Sequence, residues 1–150
     1  MSAGDQANPG RFISTRPCEG RYPGSGCMQW TVQTGGGWVG VQWWPPGCKS
    51  ETLNTCGINL LVKAGFSTVN RLTFWAKGEK GGEVIEFKGG GRQIENGKAT
   101  LKSTWEMYSI DLRGLVFTNL GDMFFWSASD IDNPTGASFY LDDIRFEGTK

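Results

Sequence analysis

Residues 71–77 read RLTFWAK, and this stretch decides the fold class because inward-facing and outward-facing residues alternate along it. Leu72, Phe74 and Ala76 fall on one face of an extended chain, and Trp75 falls on the opposite face. An alternation with a period of two is typical of a β-strand with one buried side. We therefore predict a strand here, with the first three residues in a hydrophobic core and Trp75 exposed on the sheet.

The rest of the chain repeats this pattern in short segments that end at glycine, asparagine or proline. The 150 residues include 23 glycines and 6 prolines, and no stretch of ten or more residues has the apolar spacing of a helix. Further strands are predicted near residues 28–32, 38–44, 58–62, 83–88, 105–112, 123–127 and 138–146, with a hairpin signal at Asn96-Gly97. About eight or nine strands at this spacing predict an all-β protein, a β-sandwich of two antiparallel sheets.

The composition predicts one domain and excludes several classes of partner. No internal repeat divides residues 1–150, so we expect a single module in which residues 1–26 are irregular and tied down by a disulfide. Fifteen basic residues balance fifteen acidic residues, which argues against nucleic acid as a partner. No apolar run approaches the roughly 20 residues that cross a bilayer, so no membrane partner is expected.

All four cysteines lie in the first 56 residues, in stretches rich in Gly, Pro and Ser. Four cysteines allow three pairings, and we favour Cys18–Cys27 and Cys48–Cys56 because each pair closes a short loop. A zinc site is the alternative, but without histidine it would need all four thiolates, and no C-x-x-C pair is present. Disulfides of this kind predict a secreted protein.

Strand alternation sorts the seven tryptophans into core and surface positions. Three of them are predicted to lie in the core, namely Trp30, Trp43 and Trp105. Trp38 and Trp44 share a strand face with Gly40 and Gln42, which is an unusual composition for a buried surface. We therefore predict that Trp38, Gln42 and Trp44 face solvent.

Residues 123–126 read MFFW and are apolar on both faces of the predicted strand. Either both faces are covered, or one pair lines a cleft, which would be Phe124 with Trp126 or Met123 with Phe125. We include Trp126 among the candidate binding residues.

Exposed indole rings beside hydrogen-bonding side chains indicate a surface that binds sugars. The C–H faces of a pyranose stack on tryptophan, and polar side chains bond its hydroxyls. Glu86 and Lys88 point away from the inward-facing Ile85 and Phe87, so they are available for such bonds, although a surface ion pair is the alternative. The predicted ligand-binding residues are Trp38, Gln42, Trp44, Trp75, Glu86 and Trp126.

Four segments resemble a bacterial carbohydrate-binding module that occurs beside glycoside hydrolases. They are GWVGVQW at 37–43, LTFWAKGEKGGE at 72–83, EFKGG at 86–90 and FYLDDI at 139–144. The resemblance covers roughly residues 26–147. It implies a β-jelly-roll that binds plant cell-wall β-glucans, such as cellulose, xyloglucan or mixed-linkage glucan. It also implies a parent protein in which a covalently linked glycoside hydrolase is targeted to that polysaccharide.

The same resemblance implies a structural calcium ion. Related jelly rolls hold Ca²⁺ between the first strand and an aspartate of the last strand, a place that Asp142 and Asp143 match. The early part of this chain offers few acids to complete such a site, since Asp5 and Glu19 are the only ones there. The alternative is that one of the two late aspartates bonds a neighbouring loop.

No catalytic constellation emerges from the sequence, and we predict a non-enzymatic protein. A glycosidase needs two carboxylates roughly 5–10 Å apart across a cleft, and the spacing of the 15 acids selects no pair. Serine or cysteine nucleophiles would lack a histidine base, because the chain has none. The alternative function is a structural or adhesion domain of a secreted protein that binds another protein through its exposed aromatic residues.

Overall fold

The computed structural model describes residues 13–33, 35, 37–43, 64–115 and 123–150. Within them the regular structure consists of β-strands, and no helix there is long and apolar enough to cross a membrane. The strands are β1 (Ile13–Glu19), β2 (Gly26–Val32), β3 (Trp38–Trp43), β4 (Thr68–Gly78), β5 (Val84–Gly89), β6 (Arg92–Thr100), β7 (Glu106–Asp111), β8 (Phe124–Ser129) and β9 (Ala137–Thr149).

These strands form two antiparallel sheets that pack face to face. One sheet has five strands in the order β1-β2-β9-β4-β7, and the other has four in the order β3-β8-β5-β6. The first sheet joins the two ends of the described chain, because β9 pairs with both β2 and β4. The prediction of an all-β sandwich is therefore confirmed.

The hydrophobic core lies between the two sheets and contains the inward-facing residues of β4. Leu72 and Phe74 are fully buried, and Ala76 is 1% exposed. The core also holds Trp126, whose ring centroid lies 5.2 Å from that of Trp30 and 4.9 Å from that of Phe139. Aromatic side chains from both sheets thus interlock at the centre of the sandwich.

The N-terminal segment is more regular than predicted. Residues 13–19 were expected to be irregular, but they form β1, which pairs with β2 along its whole length. The reason is that β1 is an edge strand, so Pro17 is tolerated although it cannot donate a backbone hydrogen bond. The predicted disulfide Cys18–Cys27 is present and joins directly opposed residues of the two strands.

Two further sequence predictions meet a different outcome. The hairpin between β5 and β6 turns at Gly90 and Gly91, which both have positive φ, and not at Asn96-Gly97. Asn96-Gly97 lies inside β6, in an irregularity of the β5–β6 pairing opposite Phe87 where the register shifts. The predicted disulfide Cys48–Cys56 and the predicted strand at 58–62 lie outside the described residues.

Candidate functional site

The outer face of the four-stranded sheet gathers three of the predicted binding residues. Trp38 and Gln42 lie on β3, and Glu86 lies on β5, two strands away across β8. We call this surface the Trp38 face. Its members are Trp38, Gln42, Glu86, Lys88, Lys98, Phe125, Ser127, Ser129 and Asp132.

Trp38 is the most exposed aromatic residue of the Trp38 face, with 55% of its surface accessible. It opens β3 directly after Gly37, whose φ of 124° turns the chain into the strand. The ring borders a depression of about 280 Å³ that continues across Phe125 and Ser127 to Glu86. This arrangement leaves a flat apolar plate at one end of a polar groove.

Phe125 supplies a second ring, and Gly40 makes room for it. A Cβ atom at Gly40 would lie 2.8 Å from a carbon of the Phe125 ring and 2.7 Å from the backbone oxygen of Trp126. The phenyl ring therefore lies across β3 between the positions of Trp38 and Gln42. The sequence left open whether Phe124 with Trp126 or Met123 with Phe125 lines a cleft. Phe125, from the second pair, lies on this surface.

Glu86 is held as a carboxylate by two neighbours. Ser127 Oγ donates a hydrogen bond of 2.7 Å to Oε2, and Lys88 Nζ lies 2.8 Å from Oε1. Burial acts to raise the pKa of Glu86, but the hydrogen bonds from Lys88 and Ser127 outweigh it and hold the pKa below its usual value. The alternative of a surface ion pair is thus partly right, because Glu86 and Lys88 pair with each other.

Asp132 also lines the depression and, like Glu86, is held by a lysine and a serine. Lys98 Nζ lies 2.7 Å from its Oδ2, and Ser129 Oγ donates to the same oxygen. The hydrogen bond from Lys98 is the main reason why the pKa of Asp132 is lowered. A glycosidase acid must stay protonated near neutral pH, so two carboxylates with lowered pKa values suit hydrogen-bond acceptance and not proton donation.

The charges that line this depression cancel. Two carboxylates, Glu86 and Asp132, face two ammonium groups, Lys88 and Lys98. Such a surface offers acceptors and donors for hydroxyl groups without a net field for an ion.

Two predicted binding residues do not lie on the Trp38 face. Trp126 points to the opposite side of β8 and is fully buried, so its assignment to the ligand is wrong. Trp126 and Phe125 are neighbours in β8 and point to opposite sides of the sheet, Trp126 into the core and Phe125 outward. Trp75 lies on β4 in the other sheet, so the predicted single patch with Trp38 does not exist. Trp44 lies outside the described residues.

The outer face of the five-stranded sheet carries a separate aromatic surface, which we call the Trp75 face. Its members are Arg16, Arg21, Tyr22, Gln29, Trp75, Lys77, Trp105 and Tyr140. The Arg21 guanidinium lies 3.4 Å from the ring centroid of Trp75, which is partly covered by it. Trp105, predicted for the core, lies instead beside Tyr140 with ring centroids 6.3 Å apart.

Asp142 and Asp143, the two residues predicted to bind calcium, both have polar partners within the protein. Asp142 Oδ2 accepts a hydrogen bond of 2.9 Å from the backbone N–H of Arg21, while Asp143 forms an ion pair with Arg145. Among the described residues no group of three or more acidic, His or Cys side chains could hold a metal ion. The contact of Asp142 is of the loop-bonding kind that was the alternative, and calcium at this place stays a prediction of the resemblance.

Three solved structures with a similar fold are carbohydrate-binding modules of Clostridium thermocellum. A family 11 module of the cellulosomal cellulase Lic26A-Cel5E matches with a TM-score of 0.62 and 15% identity, over 99% of this chain and 89% of that chain. A family 11 module in complex with a β-1,3-1,4-mixed-linked tetrasaccharide matches with a TM-score of 0.66 and 16% identity, over 99% and 90%. A family 30 module of the cellulosomal cellulase Cel9D-Cel44B matches with a TM-score of 0.56 and 18% identity, over 97% and 90%.

No protein-family model matches the sequence, and no curated protein sequence matches it. At identities of 15–18% the structural likeness shows a shared fold. The chain thus has the β-sandwich fold of these carbohydrate-binding modules, as the resemblance of its segments implied.

Proposed function

We propose that this chain is a non-catalytic carbohydrate-binding module that binds a neutral plant cell-wall β-glucan on its Trp38 face. The observation that carries the proposal is the pairing of an exposed indole, Trp38, with a groove whose lining charges cancel. Indole and phenyl rings stack on the C–H faces of sugar rings, and Glu86, Gln42 and Ser129 bond the hydroxyl rim. The bound tetrasaccharide of the family 11 structure supports a mixed-linkage glucan as the first ligand to test.

The proposed binding is weak for each module and gains from attachment to an enzyme. A shallow face with one exposed indole is expected to reach a Kd in the millimolar to micromolar range, about −4 to −8 kcal/mol. We propose that a covalently linked glycoside hydrolase in a secreted parent protein is held near its substrate by this module. The Cys18–Cys27 disulfide supports the extracellular location.

The test is calorimetric titration of the protein and its Trp38→Ala variant with soluble mixed-linkage β-glucan. We expect about tenfold weaker binding for Trp38→Ala, or about 1.4 kcal/mol, because the stacking plate is removed. Tyr22→Ala is the matched control, because Tyr22 is 60% exposed and lies on the Trp75 face. This control should bind the glucan with unchanged affinity.

A second variant tests the shape of the groove. Gly40→Val should weaken glucan binding because its side chain would press on the Phe125 ring and on the backbone oxygen of Trp126, and circular dichroism checks that the variant is folded. Gly26→Val is the control at a strand position with nothing within 4 Å of the new Cβ. Unchanged affinity in both Trp38→Ala and Gly40→Val would refute the proposed site. Release of reducing ends from the glucan would refute the non-catalytic assignment.

A further inference from the structure

The Trp75 face combines aromatic rings with cations in a way that the proposed glucan site does not use. Four residues align across four neighbouring strands in one row, namely Arg16, Gln29, Tyr140 and Lys77. Three strand spacings separate the backbones of Arg16 and Lys77, about 14 Å. Trp75 lies two residues before Lys77 on the same side of β4. The surface therefore extends along β4 as well as across the four strands.

Two of the three cations of this face, Arg21 and Lys77, lie against aromatic rings. Arg21 stacks on Trp75, and Lys77 Nζ lies 4.7 Å from the centroid of Tyr140 and 5.1 Å from that of Trp105. Arg16 donates a hydrogen bond to the amide oxygen of Gln29. None of the ion pairs among the described residues includes these three cations.

Two acids lie near these cations, and each accepts a hydrogen bond from an uncharged donor while it keeps its negative charge. Asp142 accepts the backbone N–H of Arg21, and Glu79 accepts a hydrogen bond from the hydroxyl of Tyr140. Arg21 Nη2 donates a hydrogen bond to the hydroxyl of Tyr22, and the Arg21 guanidinium lies over the Trp75 ring. These contacts hold a guanidinium, a group suited to carboxylates, on this surface beside an aromatic ring.

We propose that the Trp75 face is a second carbohydrate-binding site, and that its ligand is a polysaccharide whose sugar rings carry carboxylate groups. The rings of Trp75, Trp105 and Tyr140 supply stacking surfaces of the kind that sugars use. Arg16, Arg21 and Lys77 supply the positive charge that uronic acid carboxylates complement. The site is independent of the neutral-glucan site, which lies on the opposite side of the sandwich.

The probe is sodium polygalacturonate, compared with the same polymer in methyl-esterified form, whose carboxyl groups are uncharged. Binding is measured by affinity electrophoresis and calorimetry at low salt and at high salt. We expect binding to polygalacturonate, with about tenfold loss in an Arg21→Gln/Lys77→Gln double variant and a similar loss at high salt. The methyl-esterified polymer should bind about tenfold more weakly than the charged one.

Two controls separate a built site from general attraction between charges. Lys102→Gln/Arg113→Gln removes the same number of exposed cations outside the Trp75 face and should leave the affinity unchanged. Trp38→Ala should also leave it unchanged, so that failure of the glucan site does not affect this result. The proposal is overturned if polygalacturonate does not bind, if both double variants weaken binding equally, or if the methyl-esterified polymer binds as well as the charged one.

Discussion

The two outer faces of the sandwich carry similar side chains, but they differ in how the charges are paired. On the Trp38 face Glu86 pairs with Lys88 and Asp132 pairs with Lys98, so the surface is neutral. On the Trp75 face Arg21 and Lys77 lie over aromatic rings, and no ion pair among the described residues includes either of them. Because both faces carry aromatic rings, we propose that the pairing of the charges around the rings, and not the number of rings, distinguishes a neutral from an anionic ligand.

A substitution in the core between the two sheets should have the largest effect on the free energy of unfolding. Trp126→Ala removes a fully buried indole, and we expect the free energy of unfolding to fall by about 3–5 kcal/mol. Trp38→Ala should change it by no more than about 0.5 kcal/mol, because its side chain is exposed. Chemical denaturation of the two variants measures both values. Equal losses would contradict the placement of Trp38 on the surface.

Removal of the Cys18–Cys27 disulfide should have the second-largest effect on stability, and it should affect binding at the two faces differently. The variant Cys18→Ser/Cys27→Ser should be less stable by about 2–3 kcal/mol, since the bond closes a short loop. It anchors β1 and the turn that carries Arg21, which belong to the Trp75 face, and it is remote from β3 and β5. We therefore expect weaker binding of polygalacturonate and unchanged binding of mixed-linkage glucan by calorimetry. A loss of glucan binding in the folded variant would show that the faces are coupled.

The proposed glucan binding should depend on pH through the carboxylates of the Trp38 face. The pKa values of Glu86 and Asp132 in the folded protein lie below their ordinary values of 4.5 and 3.8. The stabilisation from their charged forms is therefore fully present above the ordinary values and is lost as the pH falls through the lower, folded values.

Calorimetry between pH 7 and pH 3 measures this dependence. The affinity for glucan should stay constant down to about pH 5 and fall only in the acid region, while circular dichroism monitors the fold. A decline that is complete by about pH 5 would mean that these carboxylates are not held as the structure shows them.

Chelation should have the smallest effect. Asp142 and Asp143 are occupied by Arg21 and Arg145, so EDTA should leave the melting temperature unchanged within about 1 °C. Differential scanning calorimetry with EDTA and with added calcium checks this expectation. A fall of several degrees that calcium reverses would reveal a cation that these two residues do not account for.

The sequence predicts which residues of a strand share a face, but it does not predict which sheet the strand joins. Leu72, Phe74 and Ala76 are buried as their alternation predicts, and Trp75 lies on the outer side of β4. Its separation from Trp38 arises because β4 pairs with β7 and β9 while β3 pairs with β8. Those pairings join residues that are far apart in the chain, so local patterns do not contain them.

The error at Trp126 has a different cause. Residues 123–126 are apolar on both sides of the strand, so alternation separates Trp126 from Phe125 without telling which of them is buried. The choice is made by packing, because Trp30 and Phe139 on β2 and β9 surround the larger ring. Residues 13–19 were predicted to be irregular, but they form the edge strand β1, a position that tolerates Pro17.

The most direct test of the account is an NMR titration with a mixed-linkage β-glucan tetrasaccharide that maps the amide shifts onto the two faces. We expect the largest shifts on the Trp38 face, at Gly40, Glu86 and Phe125 and at the indole N–H of Trp38, while Trp75 and Tyr140 stay unchanged. Shifts concentrated on Trp75, Lys77 and Tyr140, or no shifts at millimolar ligand, would contradict it.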